Sequence, residues 1–354
     1  MLPVPSHCTL PDVETVPPAD PRLLVEYVVE ANYAGWTLAA YVGEKVPRLL
    51  PHHIVKLLSG KALVLFDNLT LGPDTLVWPG LRFGLRKRAI GDGEEAGPLP
   101  IIHDDDALLI VDKPAGLALH PTARYHLSTL THALEKHHRN AAGQKPDPAH
   151  RLDRDTSGLV ACGRTPEQTK RLKRAFADRM VDKTYLALVE GAPAADAFDI
   201  DLPLKISGEL GRVKVKMLVV PDGAPSQTAC TVVQRYQDAA GLSVTLLRCA
   251  PRTGRQHQLR AHLAAVGLPL VGDKLYGPDE GIFLRLVESG LGPAPAGEWD
   301  ALVTPAERAA LRLNRHALHA ETLALAHPAT GEAMRFTSPL PVDLSALLAA
   351  LRPV

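Results

Sequence analysis

The 354-residue sequence predicts an α+β fold built in two units. Three observations lead there. Strand-like and helix-like runs are mixed, without the regular alternation that marks a doubly wound parallel sheet. A stretch rich in Gly, Pro and acid, AIGDGEEAGPLP at 89–100, separates a compact segment at 31–88 from everything after it. The composition, 46% hydrophobic and 22% charged, is that of an ordinary globular chain with material for more than one core. The expected organisation is an arm over 1–30, a small unit over 31–88, a linker over 89–100 and a large domain over 101–354.

In chain order, the Pro-rich arm is expected to be poorly ordered and to end in a short strand at Leu23–Val29. Trp36–Val42 and His53–Leu58 have helical apolar spacing, with Pro47 and Pro51 between them. Lys61–Phe66, Asn68-Leu69-Thr70 and Leu76–Leu85 read as short strands, with turns at Gly72-Pro73 and Pro79-Gly80. In the large domain, Leu108–Val111 is an apolar strand closed by the turn Lys113-Pro114-Ala115-Gly116. Ser128 is placed to cap a helix running through Leu134, and 139–149 is a polar loop. Pro166–Met180 is an amphipathic helix with Leu172, Ala175, Phe176 and Met180 on one side. Tyr185–Val189, Val213–Val219, Thr228–Tyr236 and Leu242–Cys249 read as strands. Gly254–Val266 is expected as a helix closed by Gly267. Residues 278–312 read as an insertion with one helix, and His319–His327 with Ala333–Thr337 as a hairpin around Ala329-Thr330-Gly331. There is no internal repeat.

Composition also narrows the function. Lys plus Arg and Asp plus Glu are 39 each, so overall charge cannot draw in a polyanion, and any such partner must be held by local patches. No apolar run reaches the ~18 residues of a membrane span. The N-terminal sequence lacks the basic and apolar regions of a secretory signal. Cys8, Cys162, Cys230 and Cys249 form no CxxC pair and read as free thiols of a cytoplasmic protein. Phosphate loops of the GxxxxGKS or GxGxxG kind are absent. His132, Glu135, His137 and His138 sit close together but without an HExxH pattern, and no metal or other cofactor is expected.

Two segments concentrate reactive side chains. The first is His150-Arg151-Leu152-Asp153-Arg154-Asp155-Thr156-Ser157-Gly158. Its turn-forming residues suit an Asx-type loop, and on local grounds a structural role for Asp153 is the commoner case. Against that, Arg151 and Arg154 flank it, and a carboxylate among guanidinium groups stays ionised and available as a nucleophile. The second segment is Arg252-Thr253-Gly254-Arg255-Gln256-His257-Gln258-Leu259-Arg260-Ala261-His262. On a helix drawn from Gly254, Leu259, Leu263 and Val266 form the apolar stripe, Arg255 lies at its edge, and His257 and Arg260 lie on the far side. An inward Arg255 needs an anionic partner, which is either a structural acid or the active-site carboxylate. The remaining cations at the helix start are placed to hold a phosphate.

These segments resemble the RluA family of RNA pseudouridine synthases. HRLDRDTSG at 150–158 matches the HRLD-x-x-TSG signature, and IIHDDDALLIVDKPAGLALHP at 101–121 matches the opening strand and KPAG turn. KTYLALVEG at 183–191, RTGRQHQLRAHLAAVGLPLVGDKLYG at 252–277 and ALHAETLALAHPATGEAMRFTSPLP at 317–341 follow in the family's order, and the likeness spans about 101–345. The resemblance implies a pseudouridine synthase fold with a mixed, mainly antiparallel central sheet flanked by helices. It implies Asp153 as the essential carboxylate, Tyr185 stacked on the flipped uracil and Arg255 paired with Asp153. Arg151 is placed on the side away from Asp153 and expected to fill the gap left in the RNA stack.

The implied reaction isomerises uridine in RNA by moving the C1′ bond from N1 to C5, which needs no redox partner and no external reactant. The expected partner is RNA, ribosomal RNA first and transfer RNA second, and the protein is expected to be a monomer. Two other classes compete: a non-catalytic RNA-binding or ribosome-assembly protein, and a glycosidase, which would want a second acid with only Asp155 nearby. Three basic patches are expected to meet phosphate: Lys170, Arg171, Lys173 and Arg174 on a helix; Arg212, Lys214 and Lys216 on one strand face; and Arg82, Arg86, Lys87 and Arg88. Arg154, His257 and Arg260 join Arg151 as expected RNA contacts. Residues 31–88 resemble an S4 RNA-binding domain in outline only, because Leu50-Pro51-His52-His53 stands where a Ser-Arg pair is usual and Asn68 lacks its Gly.

Overall fold

The computed structural model describes residues 24–46, 51–59, 63–65, 71–86, 95–122, 127–208, 211–288 and 302–354. The chain divides into two compact units, one running to Ala89 and the other from Ile90. Of the expected features, the arm before Leu24, the strand at Asn68-Leu69-Thr70 and the cations Lys87 and Arg88 lie outside the described residues.

The small unit has an antiparallel sheet in which β3 (Arg82–Arg86) lies between β1 (Leu24–Val28) and β2 (Leu63–Leu65). The strand at the end of the expected arm is thus an integral edge of this unit. Helix α1 (Leu38–Lys45) starts where the Thr37 hydroxyl accepts from the Ala40 amide at 3.2 Å, and α2 (Pro51–Leu58) starts on a proline. Leu38, Tyr41 and Val42 of α1 and Ile54 and Leu58 of α2 pack on Phe83 and Leu85. Of the run expected as strand at Leu76–Leu85, only the second half is one. Leu76 makes a lone bridge to Thr37, and Gly80, at φ 82°, turns the chain between them.

In the large unit, eleven strands among the described residues form one sheet. Its main path runs β16 (Arg352–Pro353), β12 (Gln227–Gln237), β13 (Ser243–Pro251), β8 (Asp182–Glu190), β14 (Leu318–Ala326), β7 (Ser157–Gly163), β5 (Leu108–Lys113) and β4 (Ile101–Asp104). Strands β15 (Ala333–Thr337), β6 (Asp147–Pro148) and β9 (Ala197–Asp201) pair on β14, β7 and β12. A separate ribbon joins β10 (Leu204–Ile206) to β11 (Met217–Val219). The pair β14–β7 is parallel, through His319–Ser157 and Ala320–Gly158, and the other sheet pairs are antiparallel, so the sheet is mixed as expected.

Strands β5 and β7 are covered on both faces, which explains their unbroken apolar runs. Leu109, Val111 and Val160 pack under α3 (Leu130–His137) through Leu130, Ala133 and Leu134. Leu108, Ile110 and Leu159 pack on the other side against Leu172 of α4 (Pro166–Ala177). Further along the sheet, α5 (Gln258–Ala265) sets Leu259 and Leu263 on Ala187, Val189 and Leu247. Opposite it, α8 (Val342–Ala349) sets Leu344 on Leu186, Leu188 and Val244.

Several expected boundaries move. Thr129, not Ser128, caps α3, accepting from the His132 amide at 3.2 Å. Helix α4 ends at Ala177 because Arg179 takes the left-handed conformation at φ 59°, and Met180 is 74% exposed instead of joining the apolar side. Residues 211–216 form a turn, not a strand: the Lys216 amide closes on the Val213 carbonyl and Val213 is buried against Leu204 and Tyr276. The segment 278–312 holds two described helices, α6 (Glu280–Glu288) and α7 (Pro305–Leu311), where one was expected. The end of the expected linker belongs to the large unit, since Leu99 is buried and its amide donates to His138 Nε2 at 3.0 Å.

Candidate active site

The loop 150–156 runs into β7, beside the one parallel pair of the sheet. Its backbone is held from several sides. His150 Nε2 accepts from the Ala161 amide at 3.0 Å and its ring stacks on Phe176. The Thr156 amide closes a turn on the Asp153 carbonyl at 3.1 Å, and its hydroxyl pairs with His316 Nε2 at 2.8 Å. The Arg154 carbonyl accepts from the Gly116 amide at 3.0 Å and from Lys113 Nζ at 2.9 Å. Lys113 is fully buried and also donates to the carbonyls of Pro114 and Leu117. Arg315 Nη1 donates to the Asp155 carbonyl at 3.2 Å, and the Asp155 carboxylate takes Arg154 at 2.6 and 2.8 Å. With the backbone fixed in this way, the Asp153 carboxylate faces a cleft of about 940 Å3.

The guanidinium that meets Asp153 belongs to Arg260, at 3.1 Å from Nη1 to Oδ2. Its Nε and Nη2 make a two-pronged pair with Asp273, at 2.7 and 2.8 Å. Asp273 is buried and also accepts from the amides of Leu275 and Tyr276. The Tyr276 ring lies 5.1 Å from the Arg260 guanidinium, and its hydroxyl is 3.2 Å from His257 Nδ1. The other ring nitrogen of His257 stands 3.8 Å from Asp153 Oδ2.

Arg255 was expected in this place and is not there. Helix α5 begins at Gln258, because His257 sits in the left-handed conformation at φ 49°, so a helical projection begun at Gly254 turns Arg260 to the wrong side. Arg255 is exposed and reaches the Pro225 carbonyl at 3.5 Å. Nor does α5 have a polar outer face. Gln258, Arg260 and His262 are all buried, and each is satisfied: Gln258 by Thr253, Thr228 and Gln227, His262 by Thr228 and the Leu202 carbonyl.

Burial by itself would raise the Asp153 carboxyl. The charges of His257, Arg260 and His316 and the Arg260 hydrogen bond outweigh it, and the group is held below the usual carboxylate range. Burial also pushes His257 down to about 4 and His316 to about 3. Both imidazoles are therefore neutral at pH 7, so their charges act on Asp153 only in the acid range, and at pH 7 Arg260 is the cation in contact with it. Tyr185, on β8 between Cys249 and Ala320, lines the same cleft. Burial, with the Asp153 charge beside it, drives its phenol well above the ordinary value and keeps it protonated.

The expected RNA contacts separate into groups. Arg151 was expected on the side away from Asp153; instead it is exposed and lines the same cleft, as residues two apart in an extended run share a face. Arg260 is taken up by two carboxylates and His257 by Tyr276, so neither is set to hold a phosphate. Arg154 is held by Asp155. Lys170, Lys173 and Arg174 are exposed on α4, whose end carries Phe176, Ala177 and Arg179 into the cleft wall. Arg212 and Lys214 are exposed on the 211–216 turn, while Lys216 is tied to Glu280 at 2.7 Å. Seven Lys and Arg line the cleft against two acids, which gives a neutral chain a locally cationic groove.

Asp273, Tyr276, His316 and Lys113 complete the site and were not singled out from sequence. Asp273 had a signal: it is an acid inside the apolar run LPLVGDKLYG, following a glycine at φ 74° whose missing Cβ would stand 2.0 Å from the Arg315 carbonyl oxygen. Among the described residues no cluster of three or more His, Cys, Asp or Glu is arranged to hold a metal ion.

Residues 107–265 match the RNA pseudouridylate synthase family. The chain is 34% identical to ribosomal large subunit pseudouridine synthase D of Nitrosomonas europaea over 98% of this chain and 93% of that protein. It is 33% identical to the protein of the same name from Pseudomonas aeruginosa, over 86% and 90%. The structure of human RNA pseudouridylate synthase domain containing 1 matches with a TM-score of 0.52 and 26% identity, over 72% of this chain and 89% of that one. These matches, over a fold with a mixed central sheet, place the chain among RNA-modifying isomerases. The chain belongs to the RluA family of RNA pseudouridine synthases.

Proposed function

We propose that this enzyme converts particular uridines of large-subunit ribosomal RNA to pseudouridine, with Asp153 as the carboxylate that acts on the nucleoside. The observation that carries the reading is the environment of Asp153: held below the usual carboxylate range, lining a cationic cleft, touched by one guanidinium prong and sharing that cleft with Tyr185. The ribosomal substrate is supported by near full-length likeness to relatives that bear that name.

In this reading the target uridine leaves its stack, which costs a few kcal/mol where the base is paired. Stacking on Tyr185 offsets part of that cost, and Arg151 occupies the gap in the RNA. Asp153 then acts on the extruded nucleoside, and the proton that leaves C5 is matched by one gained at N1, with the Tyr185 hydroxyl, protonated at rest, relaying it by taking one proton as it gives its own. The N1–C1′ bond breaks and the C5–C1′ bond forms, so every atom of the nucleotide is kept.

The test is pseudouridine mapping of total RNA from cells carrying Asp153→Asn. Sites in large-subunit ribosomal RNA are expected to disappear. Disappearance from transfer RNA alone would replace the substrate but keep the chemistry. If all sites persist while the variant is folded and abundant, Asp153 is not the acting carboxylate. Release of free uracil by the purified enzyme would point instead to glycoside cleavage.

A further inference from the structure

Lys183 stands apart from the other cations of the cleft. It lies on β8 two residues before Tyr185, so both side chains leave the same face of the strand, and both line the cleft. Its ammonium is half-buried and makes no hydrogen bond or ion pair with any described residue. Arg260, the other deep cation there, is matched by two carboxylates. Around Lys183 stand His150, which burial first and the Lys183 charge next push down to about 3, and Gly254, where a Cβ would sit 3.7 Å from Nζ. Neither supplies a negative charge. Burial without an acid lowers the Lys183 pKa below the ordinary lysine value. A partly desolvated, unmatched ammonium costs free energy that an arriving anion would return.

We propose that Lys183 binds a backbone phosphate adjacent to the target uridine, with Arg179 and Arg252 at the rim of that phosphate subsite. The inference rests on reading the Asp153–Tyr185 pocket as the seat of the extruded base. Phosphate is the anion that RNA offers. Two residues along a strand span about 6.6 Å, which fits one ribose between a base on Tyr185 and its own phosphate on Lys183. An ammonium with three rotatable donors suits a tetrahedral oxyanion approached from an open side.

The experiment is a cycle of chemical and protein substitutions. Its probe is a stem–loop RNA around a uridine that loses modification in cells lacking this protein, carrying a neutral methylphosphonate on the 5′ or the 3′ side of that uridine. Lys183→Met is expected to weaken binding about tenfold and to flatten the slope of log K against log salt by about one. One of the two methylphosphonates should weaken wild type by a similar factor and add little to Lys183→Met, and Lys183→Arg should recover most of the loss. The melting temperature of Lys183→Met should hold or rise, since an unmatched charge has been removed. Equal methylphosphonate losses in wild type and Lys183→Met at both linkages would overturn the proposal. So would loss of turnover with affinity and salt slope unchanged. Unaltered turnover in Asp153→Asn would undo the catalytic reading instead, and leaves the binding cycle readable.

Discussion

Arg260 treats its two carboxylates unequally. Asp273 receives the planar fork of Nε and Nη2, while Asp153 receives a single Nη1 bond on one oxygen. Asp273 therefore fixes the guanidinium, and Asp153 keeps an oxygen uncommitted to the protein pair. Removing the guanidinium in Arg260→Ala leaves two carboxylates unmatched, so a loss of about 3–5 kcal/mol of stability is expected together with turnover. Arg255→Ala, at an exposed position, should stay within ~0.5 kcal/mol of wild type and retain the chemical step. Denaturant unfolding and single-turnover kinetics separate the two, and an Arg255→Ala enzyme as dead as Arg260→Ala would refute the Arg260 pairing as the functional one.

The acid side of kcat/KM follows the same pair. Because the Asp153 pKa is depressed in the folded protein, its ionised form persists below the ordinary value near ~4, and the acid limb should lie under it. The matching contribution to stability is present above the unfolded value and is lost as pH falls through the folded one. His257 and His316, already neutral, should add no step near pH 6.5. A limb between pH 6 and 7 would mean that an imidazolium takes part. At this scale the charged surroundings of Asp153 were legible, because Arg154 and Asp155 are its neighbours in the chain and in the loop, although the local signal alone favours a structural role for it. The sequence misassigned the arginine, because that choice depends on one left-handed residue, His257, at the start of α5.

Among the elements, β7 and β14 decide where the site forms. Their parallel pairing brings Gly158 against Ala320 so closely that a Cβ would lie 2.3 Å from the Ala320 carbonyl oxygen, at φ 111°. Gly158→Ala is expected to cost more than ~3 kcal/mol, read as a lowered urea midpoint. An unchanged midpoint would show that the strands can part without cost. This pairing joins residues about 160 positions apart and has no local signature. Elements with a period of their own were legible: α4 from its apolar side, β5 from its unbroken run, and β14 with β15 around Gly331. Arg212, Lys214 and Lys216 alternate like a strand, yet burial of Val213 folds them into a turn. Alternation over five residues is too short to outweigh one well-filled apolar site.

Across the whole molecule, equal numbers of cations and acids conceal an uneven distribution. Many surface cations are matched by acids near them, as in Arg171 with Glu167, Arg174 with Asp178 and Lys205 with Asp222. Such exposed pairs contribute little to stability, but they remove charge from the far field. The cleft keeps its excess, because its exposed cations outnumber its acids and Arg260 is already spent on Asp153 and Asp273. Binding of RNA should therefore depend on salt in spite of the zero net charge. Counting only cleft cations other than Arg260 as phosphate partners, the slope of log K against log salt is expected between about −2 and −5. Charge-neutral variants of Lys170 and Lys173, outside the cleft lining, should each flatten it less than Lys183→Met. A slope near zero between 50 and 200 mM salt, with tight binding retained, would mean that the groove recognises RNA by shape and stacking, and that the excess of cations belongs to another task.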